Sequence, residues 1–293
     1  MQMFTSEKVG ELFDGCLEPL TLPDVYLRLR EAMESESISM ADAAEIISLD
    51  PALAARILRI ANSAFYGFRS QVDTVTRAAN ILGMQKIHDL ALAAGVSQVV
   101  GSLRNPLMDL STFWYRSVHN AFLARQIASG ASLRNSESMF VRGLLAGIGQ
   151  LLLFFRYPVE SRRALGDADK GLGGRVEAER QLIGVDAFQL AAELARFWQL
   201  PESFVDTFAF LMSPQEVAGP LAREIAMLNI VVQFSSGMDS DLLAEDVLRH
   251  ISGETWQIAG LPPEVGVAAL DASSVEMVDA MYRILTPQVK AAA

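Results

Sequence analysis

Ser39 to Ala61 reads SMADAAEIISLDPALAARILRIA, and its punctuation decides the fold class. Ser39 followed three residues later by Asp42 has the spacing of a capping box, in which hydroxyl and carboxylate satisfy backbone N–H groups that a helix start leaves without partners. A helix therefore opens at Ser39 and runs toward Ile47. Asp50 is a good N-cap, and Pro51 falls at the first helical position, where its missing donor costs nothing. Leu53, Ile57, Ile60 and Ala61 then recur at helical spacing as one apolar stripe, with Arg56 and Arg59 off it.

The same period holds outward along the chain. Apolar residues recur three and four apart in almost every window, and strict two-residue alternation over five or more positions is hard to find. That predicts an all-α fold. Helices are expected over 74–100, 111–128 with Gly130 as stop, 136–155 with Pro158 beyond, and 186–198 closed by Pro201. Four more are expected over 221–234 and 242–251 and after Pro262 and Ser274. GDADKGLGG, residues 166–174, has the composition of an exposed loop.

Composition narrows the function. With 293 residues, 51% of them apolar and 20% charged, the chain can close a core without staples. Its 24 Lys and Arg against 35 Asp and Glu give a net charge of −11, which repels phosphate backbones unless the cations cluster. Cys16 stands alone, so it makes no internal disulfide and no cysteine-based metal knuckle; a reducing cytoplasm fits. The opening MQMFTSEKVGELF lacks the layout of a signal peptide, and the apolar stretch 143–155 is shorter than the ~20 residues of a membrane helix. No membrane association is expected. The three histidines, His88, His119 and His250, form no pair three or four apart, so neither a metal nor a cofactor is expected. There is no nucleophile elbow and no phosphate-binding loop, and GLGG at 171–174 lacks the preceding strand of a dinucleotide site.

Five blocks, in order, resemble the HDOD family of bacterial HD-related signalling domains: DPALAARILRIANSAFYG (50–67), RAANILGMQKIHDLALAAG (77–95), FWYRSVHNAFLARQIA (113–128), FVRGLLAGIGQLLL (140–153) and GVDAFQLAAELARFWQLP (184–201). The first is the most specific, and the shared order carries the rest. The resemblance implies a two-lobed helical protein, with an N-terminal lobe over 1–105, an HD-like lobe over 106–213 and a C-terminal helical extension over 214–293 packed on the latter. It also implies where metal ligands of catalytic HD proteins would stand. There this chain has Ala146 and Gly147 in place of a His-Asp pair, Ala187 where a histidine often follows the Asp, and Arg116 where another often stands. Phe210 to Ser213 replace a histidine pair. A methyl group or a hydrogen offers a cation no lone pair.

The expected function is thus a non-enzymatic signal-transduction module acting through protein–protein contacts. Its partners would be signalling proteins, such as receiver or cyclic-di-nucleotide pathway proteins; a homo-oligomer is compatible. Arg56, Arg59, Arg69 and Arg77 near Tyr66 form a candidate docking patch, since arginine beside aromatics is enriched at interfaces; core packing of the rings with surface ion pairs for the arginines explains the same residues. Two alternatives remain open at this point. A helix-turn-helix over 76–90, with Lys86, His88 and Asp89 on its second helix, would read DNA. Residual metal-dependent phosphohydrolase activity is the other.

Overall fold

The computed structural model describes residues 21–35, 38–63, 66–68, 70–100, 107, 109–133, 136–166, 171–237, 247–248 and 250–264. Among them there are helices and turns and no strand. The described residues divide into two compact units, one within residues 21–100 and one within residues 107–264.

In the first unit, α1 (Asp24–Met33), α2 (Met40–Ser48), α3 (Pro51–Ala61) and α4 (Val75–Leu82) pack around α5 (Met84–Val100). The caps form as the sequence predicts. The Asp42 backbone N–H donates to Ser39 Oγ at 3.1 Å while the Ser39 N–H donates to Asp42 Oδ2 at 2.9 Å. Asp50 Oδ1 accepts from the Ala52 and Leu53 N–H groups. Leu53, Ile57, Ile60 and Ala61 are all buried. The helix expected over 74–100 is two helices. Gly83 sits between them at φ +88°, a backbone region that side chains with a Cβ rarely adopt.

That break does not make a DNA-reading pair. Residues 87–97 of α5 are buried without interruption, and His88 and Asp89 with them. The Tyr26 hydroxyl, kept protonated by burial, shares a 3.1 Å hydrogen bond with His88 Nε2. The helix that the DNA-binding alternative would place in a groove is buried in the core of its unit.

The second unit comprises α6 (Leu110–Gly130), α7 (Ser136–Leu145), α8 (Ile148–Arg156), α9 (Pro158–Gly166), α10 (Gly171–Ile183), α11 (Ala187–Phe197), α12 (Glu202–Ala209), a 3-10 turn (Pro214–Glu216), α13 (Pro220–Gly237) and α14 (Gly253–Ala259). The helix expected over 136–155 breaks at Ala146 and Gly147, because its halves pack on different neighbours. In α7, a Cβ on Gly143 would fall 2.6 Å from the Asn120 carbonyl oxygen of α6. In α8, a Cβ on Gly149 would overlap the Ala187 carbonyl and lie 2.8 Å from the Ala191 nitrogen of α11. The whole run Ser136–Arg156 is long and apolar enough to cross a membrane, longer than the stretch read from sequence; 89% of that window is buried inside the protein, as in a core helix.

The loop expected over 166–174 is also partly helix, since α10 begins at Gly171. Buried Leu172 and Val176 supply the packing that outweighs the low propensity of its glycines. Beyond residue 214, α13 packs on α6, α7, α10 and α12, and buried Arg142 of α7 pairs with Glu224 of α13 while stacking over the Phe204 ring.

Candidate functional site

Within the second unit, α6, α8, α10, α11 and α13 enclose a cleft of about 480 Å³, a volume that includes space open to solvent. Arg116, Ala146, Gly147 and Ala187, four positions spread over 71 residues of sequence and linked only by the family resemblance, all line it. Their convergence follows from the two glycine contacts. Gly143 seats α7 on α6, Gly149 seats α8 on α11, and the turn between them, Ala146 and Gly147, is left facing the gap.

Polar groups, among them Glu179 and Arg175, which the sequence reading did not single out, give the cleft its chemistry. Glu179 of α10 is fully buried, and its carboxylate accepts from the Gln150 side-chain amide at 3.1 Å and from the Ala187 N–H at 2.9 Å. Arg175, one turn back on α10, stands 3.4 Å from the same carboxylate. Burial pushes the Glu179 pKa up, and the guanidinium and the two donors oppose that shift. Glu179 thereby pins α8 and the start of α11 to α10. Asp186 adds the cap of α11, accepting from the Phe188 and Gln189 N–H groups, and its other oxygen accepts from Arg180 at 2.7 Å.

The cleft lining thus carries guanidinium and amide groups, with the charge of Arg175 set against that of Glu179. Arg116 and Arg175 contribute guanidinium groups, and Asn120 and Gln150 contribute amides that are 4% and 5% exposed. Asn120 Oδ1 and Gln150 Oε1 have no hydrogen-bond partner among the described residues. Phe113 and Phe188 supply apolar wall. His119 is buried, which lowers its pKa, and it is not part of this lining. Among the described residues no group of three or more His, Cys, Asp or Glu is placed to hold a metal ion.

The residues of the predicted docking patch lie in the first unit and separate into three kinds. Arg56 is half-buried, and its guanidinium donates to the Ala94 carbonyl at 2.8 Å and to Ser97 Oγ at 2.7 Å, so it ties α3 to α5. Arg59 and Arg77 are exposed; Arg77 donates to Ser70 Oγ at 3.0 Å and lies 3.7 Å from Asp73. Tyr66 is half-buried and stacks on Phe68 with ring centres 5.8 Å apart. Asn62 holds this loop against the end of α3 through paired 2.7 Å bonds with the Val72 backbone. Arg69 lies outside the described residues.

Gln150 was legible only as a polar residue on an apolar helix and Glu179 as one charge among several after the glycines; nothing in the local sequence says that two helices meet there. Arg175 was hidden for a further reason, since it follows the glycines read as a loop.

Known proteins share this fold. An HDOD domain protein of unknown function from Geobacter sulfurreducens superposes with a TM-score of 0.74 at 21% identity, over 96% of this chain and 99% of that one. A protein from Shewanella amazonensis described as a candidate phosphohydrolase does so with a TM-score of 0.72 at 25% identity, over 94% and 97%. A Treponema pallidum protein, uncharacterized, is 25% identical over 243 residues, 81% of this chain and 46% of that protein, so the chain spans about half the length of the curated relative it matches. The model of the HDOD domain family matches residues 20–214, well over half of the 293, and takes in both α3 and the whole run from α6 to α12. With that match, the chain belongs to the HDOD domain family.

Proposed function

We propose that this HDOD protein is a non-enzymatic, cytoplasmic signal-transduction module that works by presenting surfaces to partner proteins. The observation that carries the reading is the chemistry of the cleft lining. Where an HD hydrolase would need several imidazole and carboxylate ligands converging on an ion, Ala146, Gly147 and Ala187 contribute small groups without lone pairs, and two guanidinium groups stand beside them. A guanidinium repels a divalent cation and cannot ligate it. The fold is kept and the ion-activating donors are replaced.

The docking surface we assign to the exposed arginines Arg59 and Arg77, with Arg69 and the Tyr66 ring between them in sequence. Arg56 serves this surface by fixing α3 on α5. The partners fitting an arginine-rich face are acidic signalling proteins, with receiver domains and proteins of cyclic-di-nucleotide pathways as the first to try. The description of the Shewanella relative favours phosphohydrolase chemistry as the rival reading.

Two measurements separate them. Turnover of a p-nitrophenyl phosphodiester by the purified chain supplied with manganese would overturn the non-enzymatic reading; none is expected. Affinity capture comparing the wild type with an Arg59→Glu, Arg77→Glu double variant is expected to lose its specific partners in the variant. An unchanged set would remove this patch.

A further inference from the structure

Arginines of the second unit find partners within it, with an exception confined to one run of sequence. Arg125, Arg142, Arg175, Arg180 and Arg196 each pair with an acidic side chain, Arg223 donates to the Ala259 and Ala131 carbonyls, and Arg116 is also engaged. Arg156, Arg162 and Arg163 are exposed and have no ion pair or side-chain hydrogen bond among the described residues. They stand on FRYPVESRRALG, residues 155–166, the corner where α8 gives way to α9. The corner is tight. The Tyr157 N–H donates to the Leu153 carbonyl at 2.7 Å, and the Ser161 N–H donates to the Tyr157 carbonyl at 2.9 Å. Because α9 buries Ser161 and Ala164, its outward face is Val159, with Arg162 and Arg163 one turn on, to either side. Val159 is 63% exposed, and Phe155, four residues earlier, is 43% exposed beside Arg156. Exposed apolar side chains are ordinary singly, but here they are set among three cations that nothing nearby neutralises.

We propose that this corner is a docking surface for an acidic, amphipathic segment of a partner protein, whose carboxylates meet Arg156, Arg162 and Arg163 and whose apolar side chains cover Val159 and Phe155. Charge argues for an anionic partner, since the run sets three arginines against one acid, Glu160, in a chain of net charge −11. Guanidinium forks bind carboxylates in pairs of bonds, and arginine is enriched at protein interfaces where lysine is depleted. The run has no lysine. Its apolar groups argue against other anions. Valine and phenylalanine offer a phosphate backbone nothing. A helix lying on an anionic membrane keeps its apolar face apart from its charged one, whereas Val159 stands between two arginines and the opposite face of α9 is buried in the protein. A second copy set symmetrically on the same face would place arginine against arginine. The surface is separate from the one assigned to Arg59 and Arg77, which lies in the other unit, and does not depend on it.

The test is fluorescence anisotropy of short labelled peptides titrated with the full chain at about 50 mM salt, where exposed charges are weakly screened. One probe alternates pairs of glutamates with leucine-phenylalanine pairs. A second keeps the glutamates and replaces the apolar residues by serine, and a third exchanges the glutamates of the first for lysines. Saturable binding is expected for the first, at least about tenfold tighter than for the second, and none for the third. Arg162→Glu with Arg163→Glu should weaken it about tenfold or more, as loss of charge-assisted hydrogen bonds does. Val159→Asp should weaken it alone; all three positions are exposed, and circular dichroism checks that the variants fold. The Arg59→Glu, Arg77→Glu variant should bind as the wild type does, and loss of binding there would move the peptide to the other unit and overturn this assignment. No binding of the first peptide, equal binding of the serine peptide, or affinity unmoved by the changes at Arg162 and Arg163 would overturn it too. Sedimentation with phosphatidylserine–phosphatidylcholine vesicles, or retardation of duplex DNA, that those two changes abolish would replace it with a membrane or nucleic-acid surface.

Discussion

Arg56 and Arg59 look alike in the sequence, both off the apolar stripe of α3, and the structure gives them opposite lives. Arg59 is exposed, whereas Arg56 donates to the Ala94 carbonyl and to Ser97 on α5. A hydrogen bond from a charged donor contributes about 1.5–3 kcal/mol. Arg56→Ala should therefore lower the stability measured by urea unfolding by about 2 kcal/mol, and Arg59→Ala should stay within about 0.5 kcal/mol. Equal effects would place both on the surface. No local pattern could have told them apart, because the partners of Arg56 lie 38 and 41 residues away. His119 offers a second test. Burial lowers its pKa, so the folded protein binds its proton less readily than the unfolded chain does. The unfolded state then holds more protons just below the ordinary histidine pKa of about 6.5, and stability rises with pH there. Acidifying from pH 7.5 toward 5.5 should lower the melting temperature of the wild type, and His119→Gln should remove part of that fall. A variant with the same pH slope would assign the sensitivity to other groups.

Caps and stripes placed the helices, and glycines decided how they meet. Ser39, Asp50 and Asp186 all cap where the sequence says, because a cap is a contact between residues two or three apart. The break at residues 146 and 147 and the helical start at Gly171 were not legible, since each depends on a neighbouring helix distant in sequence. Glycine is a poor helix former wherever it stands, but its role differs between Gly149 and Gly173. A Cβ on Gly149 would collide with the backbone of α11 at Ala187 and Ala191, whereas one on Gly173 would meet nothing within 4 Å. The same substitution should thus have opposite signs. Gly149→Ala should destabilise by about 1–3 kcal/mol or more through forced separation of α8 from α11. Gly173→Ala should stabilise by roughly 0.5–1 kcal/mol by reducing the freedom of the unfolded chain. Thermal melts of the two variants check this, and a shift of the same sign in both would show that the α8–α11 approach has slack. Gly149→Ala should also distort the cleft, because Ala187 is one of its walls.

For the whole molecule, the family resemblance picked out Arg116, Ala146, Gly147 and Ala187 from separate sequence blocks, and the fold brings all four to the lining of one cleft. What the blocks left unread was its electrostatics, since Arg175, Glu179 and Gln150 gain their meaning only from one another. Global charge was legible throughout and bears on the remaining alternative, DNA binding. A helix that reads a major groove must leave one face free for base edges and bring cations to the flanking phosphates. Between residues 84 and 99, α5 exposes only Gln85 and Gln98, while Lys86 is half-exposed and Asp89 is buried beside His88. To reach bases, the unit would have to turn its core outward. The net charge of −11 opposes the approach from a distance as well, and few phosphate contacts are available to offset it. At about 50 mM salt, where phosphate contacts are strong, micromolar protein should leave duplex DNA unshifted in a retardation gel, and Lys86→Glu should change nothing. Retardation that weakens steeply with added salt would require a cationic surface elsewhere on the molecule, and the exposed pair Arg59 and Arg77 would be the first place to seek it. Their variant would then lose DNA and protein partners together, which separates that outcome from a patch serving proteins alone.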